Sequence, residues 1–208
     1  MSNYAKPDYW TVKALKEGYP ARSVYKLREI AEKYALFSRG TSAPLRVLDL
    51  GAAPGSWSLY LLRAFKGRID LAACDLSPLS AAYGKDLFAG GNFTFIQGDF
   101  TGDPARAAIL AKAPFDVMVS DAAPATTGNR LVDTARSEEL ASTALRYAET
   151  ALREGGSLVV KLFQGGATAE FLKEAKPLFA KCHTFKPKAC RPESFETYFI
   201  GLKRQPAG

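Results

Sequence analysis

The stretch Leu48-Asp-Leu-Gly-Ala-Ala-Pro-Gly-Ser-Trp57 decides the fold. It closes an apolar run, Leu45–Leu50, and passes through glycines into Ser56–Phe65, where apolar residues recur at helical spacing. A buried strand, a glycine turn and an amphipathic helix make the first half of a βα unit. The alternation continues outward. Ile69–Asp75, Phe93–Gln97, Phe115–Ser120 and Ser157–Phe163 read as further buried strands. Ala105–Lys112, Asp133–Arg153 and Ala167–Phe179 read as helices, with Gly155-Gly156 separating the long helix from its strand. Lys181–Phe185 and Glu196–Leu202 follow without a helix between them, which predicts an antiparallel hairpin on a sheet edge. Upstream, Ser23–Tyr34 predicts a further helix with Val24, Leu27, Ile30, Ala31 and Tyr34 on one side. The expected architecture is a single α/β domain over residues 1–208, with a basic N-terminal extension and helix at 1–42. A Rossmann-like core at 43–204 follows, its mostly parallel sheet covered by helices on both faces.

Composition narrows the class. An apolar fraction of 47% and a charged fraction of 24% are those of an ordinary globular protein rather than a disordered or membrane one. The longest apolar runs fall far short of a membrane span, and Met1-Ser-Asn-Tyr-Ala-Lys6 does not read as a secretory leader, so a cytoplasmic location away from membranes is expected. Cys74, Cys182 and Cys190 form no C-x-x-C pair, and His183 has no partner at ligand spacing. Reduced thiols, an incidental histidine and no metal are expected. A net charge of +7 points towards polyanions, of which nucleic acid is the usual one. Position sharpens this. Lys6, Lys13, Lys16, Arg22, Lys26, Arg28 and Lys33 crowd one end of the chain, and Lys173, Lys176, Lys181, Lys186, Lys188 and Arg191 the other. If the fold brings the ends together they make one positive face.

The glycine loop lies where a doubly wound sheet binds its ligand, at the carboxyl end of the first strand. It is not G-x-G-x-x-G: Gly51 and Gly55 flank Ala53-Pro54, and Pro54 removes a backbone donor. That argues against a pyrophosphate cradle, which relies on backbone N–H groups, and for an adenosine that carries an amino acid. Asp75, ending the second strand, can accept from both hydroxyls of a ribose, and Asp99, after the third, from an adenine amino group. Either alone is an ordinary turn aspartate. Together with the loop, at successive strand ends, they read as cofactor ligands.

Taken as a set, Asp49-Leu-Gly-Ala-Ala-Pro-Gly-Ser-Trp57, Cys74-Asp-Leu76, Gln97-Gly-Asp-Phe100, Ser120-Asp-Ala-Ala-Pro124 and Val159-Val-Lys-Leu-Phe-Gln-Gly165 resemble the RrmJ/FtsJ family of RNA ribose 2′-O-methyltransferases. Ala21-Arg-Ser-Val-Tyr-Lys-Leu27 looks like that family's N-terminal basic helix. The resemblance implies a class I methyltransferase fold with a seven-stranded sheet, and S-adenosylmethionine as cofactor. It puts a Lys-Asp-Lys-Glu catalytic set on Lys26, Asp121, Lys161 and Glu196. It puts cofactor contacts on Gly51, Ala53, Pro54, Gly55, Trp57, Asp75, Leu76, Asp99, Phe100 and Asp121. Phe195 departs from the pattern, because the family's bacterial ribosomal branch has arginine before the glutamate.

The residues support the catalytic set unequally. A lysine within Val159-Val-Lys-Leu-Phe163 is unusual, since lysine is rarely buried without a partner. It reads as catalytic, with a snorkelling lysine or a purely structural pair with Asp121 as the alternatives. Lys26 on an amphipathic helix and Glu196 entering a terminal strand would by themselves read as surface residues, and only the resemblance promotes them. Lys161 is expected either to take the proton of the ribose hydroxyl, helped by repulsion from Lys26 and a sulfonium, or to steer the oxygen as a cation. Lys13, Arg22, Lys26, Lys186, Lys188 and Arg191 are the expected RNA contacts, with Tyr4, Tyr9, Trp10 or Tyr198 as weaker candidates to stack a base. The implied substrate is a uridine of large-subunit ribosomal RNA, free or in the assembled particle, with a tRNA anticodon-loop ribose second. The rival classes are a non-catalytic ribosome-assembly factor and a small-molecule methyltransferase, which would not explain two basic flanks. A monomer is expected, as no unbalanced apolar stripe remains.

Overall fold

The computed structural model describes residues 7–38, 43–125, 127–165 and 168–206, so Tyr4 and Lys6 lie outside the described residues. The parallel strands are β1 (Leu45–Leu50), β2 (Ile69–Asp75), β3 (Phe93–Gln97), β4 (Phe115–Ser120) and β5 (Leu152–Phe163). The hairpin strands are β6 (Phe179–Phe185) and β7 (Glu196–Arg204), with β7 antiparallel to β5 and β6 antiparallel to β7. The sheet has seven strands in the order β3-β2-β1-β4-β5-β7-β6. The chain leaves β1 in one direction and returns to its other side as β4, which opens a crevice at the carboxyl ends of these two strands.

Period-2 alternation sorts the strands between two cores. Leu48, Ala72, Met118, Val160 and Phe199 face one layer, built by α5 (Asp103–Leu110), α6 (Arg130–Ala151) and α7 (Thr168–Ala175). Val47, Leu71, Val119, Val159 and Ile200 face the other, built by α2 (Val24–Tyr34), α3 (Ser56–Phe65) and Phe88 of the short α4 (Lys85–Phe88). The parity has a functional consequence. Continuing the second set by two residues along each strand gives Asp49, Asp121, Lys161 and Tyr198, all on the face that α2 covers.

Element ends differ from expectation for local reasons. The helix α1 (Tyr9–Lys16) is not legible in the apolar pattern, because Ala14 is its one buried residue; Asp8 starts it by accepting from the Thr11 N–H at 2.9 Å. The long helix begins at Arg130 rather than Asp133 because Asn129 Oδ1 accepts from Leu131 and Val132 N–H. It ends at Ala151, where Leu152 turns extended and pairs with Phe115, so Gly155-Gly156 falls inside β5. Pro177 sits in a 3-10 turn, and Phe179 starts β6 with its ring 5.9 Å from that of Phe199. The thiols of Cys74 and Cys190 are buried.

Leu27 carries no exposed surface and packs α2 onto the sheet. Leu27→Ala should lower the unfolding free energy in urea by about 3 kcal/mol. A loss below about 1 kcal/mol would contradict the docking of α2 as a core element.

Candidate active site

A cavity of about 260 Å³ opens at the carboxyl ends of β1, β2 and β4. Gly51, Ala53, Asp75, Leu76, Asp99, Phe100 and Asp121 line it, as expected. Gly51 has to be glycine: its φ is +74°, and a Cβ there would lie 2.6 Å from Ala122 Cα. Asp75 is locked by its own loop, with Oδ2 accepting from Ala53 N–H at 2.9 Å and Oδ1 from Ser77 N–H at 2.8 Å. Each oxygen keeps a second lone pair for a hydroxyl donor. Asp99 Oδ1 accepts from both Thr101 N–H and Oγ1, which fixes the carboxylate at the cavity rim. Three lining residues are acids and none is basic. Such a cavity repels a diphosphate and suits a ligand that brings ribose hydroxyls and positive charge, the chemistry of S-adenosylmethionine.

Pro54, Gly55 and Trp57, also expected at the cofactor, lie in the turn into α3, behind the residues that line this cavity. The Pro54 carbonyl accepts from Ser80 N–H at 3.0 Å, and Gly55, at φ +106°, starts α3. Trp57 is buried behind the loop, where its indole N–H donates to the Ser23 carbonyl at 2.8 Å. These three residues shape the turn and tie α3 to α2.

Beside the cavity lies a cluster of charge. Lys161 Nζ donates to the Asp121 carbonyl at 2.5 Å and lies 3.1 Å from its Oδ1. Tyr198, paired in register with Lys161, donates its hydroxyl to the same Oδ1 at 2.6 Å. Lys26 Nζ meets both Glu196 oxygens at 2.9 Å. The structure thus brings together all four residues of the expected catalytic set. Burial alone would raise the Asp121 carboxyl, but Lys161, Lys26 and the Tyr198 hydroxyl hold it below the usual range. Burial pulls Lys26 down, yet Asp121 and Glu196 together leave its ammonium above the ordinary lysine value. Burial pushes the Tyr198 phenol well above its usual range, with Asp121 and Glu196 adding to it. Tyr198, a weak candidate from sequence to stack a base, is fully buried in the core. It is also a holder of Asp121, a role its strand parity with Lys161 signalled.

Asp49 was missed altogether. It is fully buried beneath the Gly51 loop; Ser58 Oγ donates to Oδ2 at 2.7 Å, and Oδ1 has no hydrogen-bond partner. Burial, with the charges of Asp121 and Asp75 adding, pushes this carboxyl up to about 7.

The two basic ends meet. Arg22 donates to the Asp8 carboxylate and the Ala189 carbonyl, Arg191 Nε lies 3.9 Å from Asp8, and Lys188 N–H donates to Glu29 at 2.8 Å. Two of the expected RNA contacts, Arg22 and Lys26, are engaged within the chain. The Arg22 guanidinium is spent on a strap between chain ends, and Lys26 is buried in its pair with Glu196. Lys186 and Lys188 are exposed, and Lys13 Nζ lies over the Tyr25 ring at 4.9 Å. Among the described residues no group of His, Cys, Asp or Glu is placed to hold a metal ion, and no helix is long and apolar enough to cross a membrane.

Strand order, acid-lined cavity and adjoining lysine–carboxylate cluster define a Rossmann-like class I methyltransferase. The chain belongs to the FtsJ-like methyltransferase family, whose model matches residues 19–204. It is 48% identical over 202 residues to the ribosomal RNA large subunit methyltransferase E of Treponema denticola, covering 97% of this chain and 96% of that protein. The protein of the same name from Sorangium cellulosum is 40% identical over 205 residues, covering 99% and 92%. Among solved structures, a ribosomal RNA methyltransferase from Plasmodium falciparum superposes with a TM-score of 0.71 at 27% identity, covering 89% of this chain and 98% of that one. Fibrillarin from Aeropyrum pernix, in complex with S-adenosylmethionine, shares the fold at 15% identity and a TM-score of 0.56, covering 86% and 76%.

Asp49 gives the site a pH signature. Its folded value of about 7 lies above an unfolded value of about 3.9. Between those values the native state holds a proton that the unfolded state has lost, so stability falls as pH rises. Asp49→Asn removes that titration. The stability of the variant relative to wild type should therefore climb by about 4 kcal/mol between pH 4 and pH 8 in urea titrations. A pH-independent difference would show that Asp49 is not buried as a protonated acid.

Proposed function

We propose that this chain transfers the methyl group of S-adenosylmethionine to a ribose 2′-oxygen of large-subunit ribosomal RNA. The observation that carries the reading is the Lys161–Asp121 pair at the rim of the acid-lined cavity, locked by Tyr198 and backed by Lys26–Glu196. The names of the relatives support the large-subunit substrate over a tRNA anticodon loop. Lys161 and Asp121 are both present and interlocked, which weighs against a non-catalytic assembly factor. The chain is proposed to act in the cytoplasm as a monomer.

Gly51, Ala53, Asp75, Leu76, Asp99 and Phe100 would hold the cofactor, Asp75 through the ribose hydroxyls and Asp99 at the adenine end. The cofactor supplies a methyl group that its positive sulfur already makes electrophilic. The protein therefore has to align the attacking oxygen and dispose of one proton. In the arrangement seen here Lys161 is a donor to Asp121, and Lys26 is neutralised by Glu196 rather than free to repel Lys161. This supports the steering role. The Lys161 ammonium hydrogen-bonds one lone pair of the 2′-oxygen and leaves the other directed at the methyl carbon. Asp121 fixes Lys161, and Glu196 fixes Lys26 against the ribose. With Lys161 acting as a donor, the hydroxyl proton would pass to solvent water as the carbon–oxygen bond forms, and a bound cofactor would supply the methyl group and leave as the neutral thioether.

Lys161→Ala should cut single-turnover methyl transfer to large ribosomal subunits at least about a hundredfold, while subunit binding stays within about twofold. Asp75→Ala should weaken cofactor binding in calorimetry about tenfold and leave RNA affinity unchanged. A wild-type rate in Lys161→Ala would overturn the mechanism.

A further inference from the structure

One side of the crevice is walled by residues that the chemistry above does not use. The guanidinium of Arg130 lies over the ring of Phe195, 5.1 Å from its centroid. Phe195 in turn meets Phe163 edge to face, at 5.0 Å and 71°. Both aromatics adjoin catalytic positions: Phe195 precedes Glu196, and Phe163 pairs in register with Glu196 and follows Lys161 by two residues. Two residues along a strand place Phe163 on the face of Lys161, roughly 7 Å further along the strand.

The wall is rigid. Asp133, 4% exposed, accepts from Thr127 N–H at 2.8 Å, Thr127 Oγ1 at 2.9 Å and Gly128 N–H at 3.3 Å, which sets the loop before α6. Gln164 N–H donates to the Phe195 carbonyl at 2.8 Å, and Gly165 packs so closely on Thr134 that a Cβ would lie 2.5 Å from its methyl. This frame presents a guanidinium beside apolar side chains outward. Arg130 is exposed, and next to it Leu131 is 82% and Val132 38% exposed. The end of α6 is not a phosphate site. Asn129 already accepts from the N–H groups of Leu131 and Val132, and Asp133 brings negative charge to the first turn. A guanidinium plane backed by an aromatic ring is instead a surface on which a base stacks.

We infer that Arg130, its guanidinium lying over Phe195, is the platform on which an unpaired nucleobase beside the target ribose is laid. The inference rests on the RNA-methylating reading above. Arg130 and Phe195 are positioning and specificity residues, and they take no part in moving the methyl group.

The test is methyl transfer to large ribosomal subunits isolated from cells lacking this chain, with KM and kcat measured separately and cofactor affinity followed by calorimetry. Arg130→Ala and Phe195→Ala should each raise KM for the subunits about tenfold, change kcat less, and leave cofactor affinity as in wild type. Arg130→Lys keeps the charge without the plane and should be no better than Arg130→Ala, whereas Phe195→Trp should retain a KM near wild type. A wild-type KM in Arg130→Lys would mean that charge alone is used, and a wild-type KM in both alanine variants that nothing stacks there; either overturns the platform. Failure of the wild-type protein to methylate the subunits would instead refute the RNA-methylating reading itself.

Discussion

Two lysines and two carboxylates share a crevice at the top of this sheet, and neither lysine can leave without stranding a buried acid. Lys161 is 7% exposed at its side chain and its partner Asp121 17%, while Lys26 and Glu196 are 10% and 11% exposed. Removing one member of such a pair costs about 3–5 kcal/mol, because the other charge stays buried and uncompensated. The cluster therefore constrains everything that brings its members together. Strand β5 must end at the height of β4, the terminal strand must run antiparallel beside β5, and an N-terminal helix must dock across both.

That last requirement explains much of the N-terminal architecture. Leu27 and Ile30 seat α2 on the sheet, Trp57 grips the Ser23 carbonyl, and Arg22 straps Asp8 to Ala189. Each of these interactions spans distant parts of the chain, and each holds Lys26 over Tyr198 and Glu196. The same strap brings Arg22 beside Arg191 and the segment that carries Lys188. Charge that attracts RNA at long range thus converges where the chemistry is positioned.

Much of the fold was legible because five strands are buried on both faces and so read as short apolar runs. Helix ends were less so, being set by a cap at Asn129 or by the pairing of Leu152 with Phe115, neither of which alters the apolar pattern. Within the site, Lys161 announced itself as a charge in an apolar strand. Lys26 and Glu196 did not, since they pair across 170 residues and look like surface positions until the fold joins them. Asp49 and Tyr198 were hidden for the opposite reason: inside apolar strands they resemble core, and only strand parity shows that they share the sheet face of Asp121 and Lys161. The inward packing of the glycine loop was not legible. Its tryptophan packs inward against α2, while Gly51 and Ala53 line the cavity.

The central claim is that this geometry directs a methyl group to a ribose oxygen. Transfer of labelled methyl from S-adenosylmethionine to unmodified large subunits, small subunits and bulk tRNA, with the product mapped to the atom, tests it most directly. The account predicts label in the large-subunit pool alone, on one ribose 2′-oxygen and resistant to alkaline cleavage of the following phosphodiester. Label on a base, or in tRNA in place of large-subunit RNA, would contradict it.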